Sequence, residues 1–136
     1  MNPLKILIVT FGVWLLTATV ASAGLVVQVG SPKTTGSKAV VKLDMENTYT
    51  SQIQSVRAAI FLLNDQGKVV GQSTSWIIGG GKNKPELAAN AKTTYNFILP
   101  AGKPFTKAKL MVERILLENG KLANALTDVQ IIDSAK

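Results

Sequence analysis

The 136-residue chain has no cysteine and no histidine. The first absence removes the thiol nucleophile, the disulfide and the lipid-modified cysteine anchor. Both together remove the imidazole base and the soft ligands of a zinc site. Aromatic residues make up only 6% of the chain and charged residues 17%. With so little equipment for acid-base or nucleophilic work, the sequence predicts a protein that is not an enzyme and takes no cofactor and no metal. Stability must come from apolar burial and backbone pairing. The charge that is present is one-sided, with 15 basic residues against 8 acidic ones and a formal net charge of +7. Such a balance favours anionic surroundings without naming a function.

Residues 1–23 carry Lys5, an apolar stretch from Ile6 to Val20, and "ASA" at the end. This is the layout of a secretory signal peptide cut before Gly24. An uncut apolar segment of this kind would approach the roughly 20 residues that span a bilayer, but the small-x-small ending favours cleavage. The expectation is a secreted or periplasmic protein with no stable transmembrane segment after cleavage. Residues 24–136 are enough for one hydrophobic core and too few for two ordinary domains.

What remains alternates with a period of two. "AVVKLDMENTYT" sets Val41, Leu43 and Met45 against Lys42, Asp44 and Glu46, a strand pattern that a helix would not produce. "VRAAIFLL" has Val56, Ala58, Ile60 and Leu62 on one face and Arg57, Ala59, Phe61 and Leu63 on the other, so it should lie centrally or under a covering loop. Between it and "KVVGQSTSWII" stands "NDQG", whose Asp65 and Gly67 carry turn chemistry: a carboxylate able to accept a backbone bond and a glycine able to take a positive dihedral. "KTTYNFILPAG" ends at Pro100. "KAKLMVERILLENGKL" competes between strand and helix, and its Asn119-Gly120 pair favours a hairpin. With Leu25 to Val29 first and a last strand within "LTDVQIIDS", the tally is about seven strands, all-β, at the spacing of an immunoglobulin-like β-sandwich. A single helical turn fits Glu86 to Ala89, after Pro85.

The run from Val40 to Leu99 resembles the small extracytoplasmic bacterial modules of the FxLYD-like type. The matching elements are Asn47, the Val56 to Leu63 strand, Asp65, Gly67, Lys68, Val69 and Val70, and Tyr95 to Phe97. The resemblance implies an immunoglobulin-like sandwich that serves as an accessory or interaction module of secreted and envelope proteins.

Candidate sites are few. Asp44 and Glu46 share a strand face, a pair that does acid and base work, holds a hard cation, or simply meets water, the reading favoured by the alternation. "GGGKNK" lacks the Gly-x-x-x-x-Gly-Lys-Ser/Thr spacing of a phosphate loop and reads as a mobile, partner-contacting loop at Gly79, Gly80 and Gly81. Lys82, Lys84 and Lys92 flank it, and Lys103, Lys107 and Lys109 form a second basic group. Trp76 is either a core residue or an interface anchor. Tyr49 lies in a polar loop with little reason to be buried. The leading expectation is a non-catalytic exported module that binds or braces a protein partner in the cell envelope, through Tyr49, Trp76 and the glycine loop. The alternative is a binder of anionic polysaccharide, lipid headgroup or another polyanion through the two lysine groups. Lys38 with Lys42, and Lys107 with Lys109, are candidates for protecting sheet edges.

Overall fold

The structure, a computed structural model, describes residues 24–81 and 84–133. The expected leader and Lys82 lie outside the described residues.

Alternation along β3 (Lys38–Asn47) buries Ala39, Val41, Leu43, Met45 and Asn47 and turns Lys38, Lys42 and Asp44 to solvent. This pattern gives β3 one side that is apolar from Ala39 to Met45 and ends in Asn47, and it takes the centre of the larger sheet. Antiparallel β6 (Lys92–Pro100) pairs along one side of it. The short β2 (Lys33–Thr35) and β1 (Leu25–Val29) share the other side, and β8 (Val129–Asp133) adds to β1 in parallel. The second sheet has the order β5 (Val69–Ile78), β4 (Ile53–Leu63), β7 (Lys107–Leu117), all antiparallel. The two sheets pack face to face as a β-sandwich. In an immunoglobulin sandwich the last strand lies beside the one before it. Here it crosses over to β1 instead.

The core is the space between the sheets. Phe97, Leu43, Ile60, Leu62 and Ile115 are each at most 1% exposed, and each such side chain contributes about 1.5–3 kcal/mol on leaving water. Carboxylate substitution at Ile60 would place an unpaired charge there. β4 is central, as a strand apolar on both faces requires: Val56, Ala58, Ile60 and Leu62 point inward, and Ala59 on the opposite face is itself only 3% exposed.

Several expectations need correction. Among the described residues there are eight strands rather than about seven, because Lys33–Thr35 pairs with the start of β3 through a turn at Gly36, which has φ 62°. No helical turn forms at Glu86 to Ala89; Leu87 instead bridges to Ile53 in antiparallel fashion. Asn119 and Gly120 do reverse the chain with φ of 67° and 73°, but the loop also includes Glu118, and the returning arm is one bridge between Leu116 and Leu122. In the β4–β5 turn the accepting side chain is that of Asn64, not Asp65. Its Oδ1 takes bonds from the amides of Gln66 (2.9 Å) and Lys68 (3.0 Å), and the connection runs to Lys68 before β5 begins. Lys38 and Lys42 guard no edge, since β3 is paired on both sides, whereas Lys107 and Lys109 do stand on an edge strand.

Candidate functional site

Register decides what the outer face of the three-stranded sheet presents. Opposite Arg57 on β4 stand Trp76 of β5 and Arg114 of β7, and opposite Ala59 stand Thr74 and Met111. Two register shifts, at Val56/Arg57 against β5 and at Arg57/Ala58 against β7, occur beside this position; bulges of this kind re-aim side chains. The Arg57 guanidinium lies 5.3 Å from the Trp76 ring centroid, and its Nε is 3.6 Å from a Glu113 carboxylate oxygen. Gly80, at φ 76°, lays its backbone on the indole so closely that a Cβ there would collide with the ring. Trp76 is therefore not a core residue; it is half-buried on the outer face, wedged between a cation and a glycine. Phe61 continues the apolar lane along β4, and Met111 is 48% exposed beside it. The glycine loop covers the Trp76 end of this face, and residues 122–126 flank Glu113 and Arg114.

The glycine loop is built for packing. Gly79, at φ 58°, donates its amide to the Pro85 carbonyl and sits so near the Gln54 carbonyl that no Cβ would fit. Lys84 is committed inward: its Nζ donates to the Trp76 carbonyl at 2.6 Å and to Ser75 Oγ at 3.4 Å, and lies 5.1 Å from the Tyr95 ring centroid. With the Ser75 and Tyr95 hydroxyls 3.1 Å apart, it ties β5 to β6 across the side of the sandwich. Gly81 is exposed.

Tyr49 is also relocated. It is 8% exposed, belongs to the core, and donates its hydroxyl to Asp128 Oδ2 at 2.9 Å. Burial first, then the bond to Asp128 and its negative charge, raises the Tyr49 pKa well above the usual phenol value. Beside it, Asn47 is fully buried. Its amide donates to the carbonyls of Ser51 (2.9 Å), Leu87 (3.0 Å) and Ala88 (3.1 Å), and its Oδ1 accepts from the Tyr49 amide at 2.9 Å. Sequence reasoning passed over this role, although a signal existed: Asn47 continues the apolar register of Val41, Leu43 and Met45, so a polar group was headed into the core and had to be bonded there.

The two lysine groups do not meet. Lys84 and Lys92 stand at one end of β6, and Lys103, Lys107 and Lys109 follow its other end, nine residues or roughly 30 Å away. A single patch made of both groups is thus overturned. The end that holds Lys103, Lys107 and Lys109 also holds three lysines that sequence proximity did not join to them: Lys33 and Lys38, beside Pro100, and Lys68 in the β4–β5 turn. Elsewhere, Asp44 and Glu46 line a groove of about 440 Å³ on the outer face of the larger sheet, where Asp44 accepts from Thr94 Oγ1 at 2.9 Å. Among the described residues no group of three acidic side chains is placed to hold a metal ion.

No family model matches the chain, and no curated protein matches it. Two solved structures share its fold. A Bordetella pertussis protein designated ApaA is 18% identical over 77% of this chain and 89% of its own, with a TM-score of 0.55. IrmA from Escherichia coli is 10% identical over 80% of this chain and 91% of its own, also with a TM-score of 0.55. At these identities the likeness concerns the fold alone, and a sandwich carries no function by itself.

Proposed function

We propose that the protein is a non-catalytic, exported binding module that holds a protein partner of the cell envelope against the outer face of its three-stranded sheet. The observation that carries this reading is the placement of Trp76: a tryptophan on a solvent-facing strand surface, propped by Arg57 and Gly80 and continued by Phe61 and Met111. Tryptophan and arginine are the residue types enriched at binding hot spots, and the half-buried indole keeps an accessible edge. The fixed indole loses little freedom on contact, which favours affinity. Export is supported by the leader-like residues 1–23. No helix among the described residues is long and apolar enough to cross a membrane.

The test is site-specific photo-crosslinking in the producing cell. A crosslinker at Met111 should capture a discrete partner, and the same group at Ile98, exposed on the opposite sheet, should not. Trp76→Ala should abolish the Met111 adduct while the fold is retained. Equal capture from both faces, or an adduct indifferent to Trp76, would refute the assignment of the face.

A further inference from the structure

We propose that the end of the sandwich formed by the β2–β3 turn, the β4–β5 turn and the β6–β7 connection docks on an anionic phospholipid surface. This goes beyond the protein-partner reading and uses a different part of the molecule.

Six lysines gather at this end: Lys33, Lys38, Lys68, Lys103, Lys107 and Lys109. All six are exposed, and no ion pair among the described residues involves any of them. The acidic side chains at the same end are Asp65 and Asp133. Over the rest of the described residues, six basic side chains balance six acidic ones. The whole net charge of the described residues therefore resides at one end, and the remainder is neutral. A molecule charged in this way is turned end-on by a negative plane before contact.

Geometry favours a plane over a single chain or a lone anion. Lys68 and Lys103 stand on two of the connections, and Lys33, Lys38, Lys107 and Lys109 on the strand ends beside them, so the six do not line one groove. The cavity at this end, about 300 Å³, is lined by Val29, Pro32, Thr106, Ala108, Lys107 and Asp133 among others, so it gathers one lysine beside one aspartate and does not focus the charge. Between the lysines stand apolar or donor-free tips: Val69 next to Lys68 is 54% exposed, and Pro104 follows Lys103 in the open. A sheet of anionic headgroups meets all three tips at once. Each lysine held near such a surface contributes about five-fold in affinity, within a Debye length of about 8–10 Å.

The experiment is vesicle co-sedimentation of the protein, purified as its producing cell processes it, with phosphatidylcholine alone and with phosphatidylcholine mixed with phosphatidylglycerol. Binding is expected to the mixed vesicles only and to fall steeply with salt. The triple substitution Lys33→Gln, Lys38→Gln, Lys68→Gln should weaken it on the order of a hundred-fold. A control of equal charge loss at exposed Lys42, Lys92 and Lys121, each changed to glutamine, should change it only a few-fold. The idea is overturned by equal losses in the two triples, by equal binding to both vesicles, or by binding to dextran sulfate through the same lysines without binding to vesicles. Unchanged urea midpoints in both triples guard against misfolding. Trp76→Ala should leave vesicle binding intact, so that failure of the partner face and failure of this end are read separately.

Discussion

The two ends of the sandwich are held in different ways. At the end of the β3–β4 and β5–β6 connections, buried Asn47 bonds three carbonyls and one amide, Tyr49 reaches Asp128, and Thr48 exchanges bonds with Gly24. These ties join segments far apart in the chain. At the other end the β4–β5 turn closes on itself through Asn64, the Ala101 amide donates to the Ser37 carbonyl, and the Thr106 amide and hydroxyl both donate to the Leu63 carbonyl. That second end carries the excess of lysine. One end therefore concentrates side-chain bonds between distant segments and the other concentrates charge on exposed lysines above a core of Ala39, Leu62 and Leu99.

The sharpest way to break this contrast is Asn47→Leu. It should cost about 3 kcal/mol or more, because it leaves buried carbonyls and an amide without partners. A urea midpoint close to that of the parent would remove the clamp from consideration. Next in size is Gly79→Ala, expected at about 2 kcal/mol from positive-φ strain plus collision with the Gln54 carbonyl, again read by urea unfolding. Tyr49→Phe should cost about 1.5 kcal/mol and should also alter alkaline behaviour. The raised phenol pKa means that its stabilisation is complete below the unfolded-state value, about 10, and is lost as pH rises beyond it. The parent should therefore lose stability above that pH more steeply than Tyr49→Phe; parallel pH curves would contradict the burial of the hydroxyl. At the opposite end, Gly67→Val meets open space at φ 79° and should cost only about 1 kcal/mol of backbone strain. A larger loss would show that this turn is coupled to the core after all. Smallest of all, Arg57→Gln should change stability by about 0.5 kcal/mol or less, since its pair with Glu113 is exposed, while tryptophan fluorescence reports the altered surroundings of Trp76.

Local pattern carried the strands well. The alternation of Val41, Leu43 and Met45 marked β3 as a strand with one buried face, the two-sided apolarity of Ala59 and Phe61 foretold a central β4, and β1 falls on Leu25–Val29 as read; that β3 is also paired on both sides was not foreseen. β2 left no trace because its three residues are all exposed and so show no buried face. Partnership across the chain was not legible. Tyr49 sits among polar neighbours in sequence, yet it packs into the core, and its hydroxyl bonds Asp128, 79 residues away. The lysines were grouped by sequence distance, yet β6 carries Lys92 away from Lys103, while sheet register brings Lys38 to Pro100. Trp76 read first as core and only then as an anchor, because the register shifts beside it arise from pairing with β4 and leave no mark in its own neighbours.

The parallel pair of β1 with β8 bears on how the chain reaches this state. Leu25 pairs with Val129 and Val29 with Asp133, so the strand made first waits for the strand made last. Contacts of such sequence separation slow folding, because the loop must close before the contacts reward it. A growing chain therefore keeps one edge of β1 open until synthesis has passed Asp133. That delay leaves a row of unpaired amides and carbonyls along β1 in the unfinished chain, a template that another strand can occupy first.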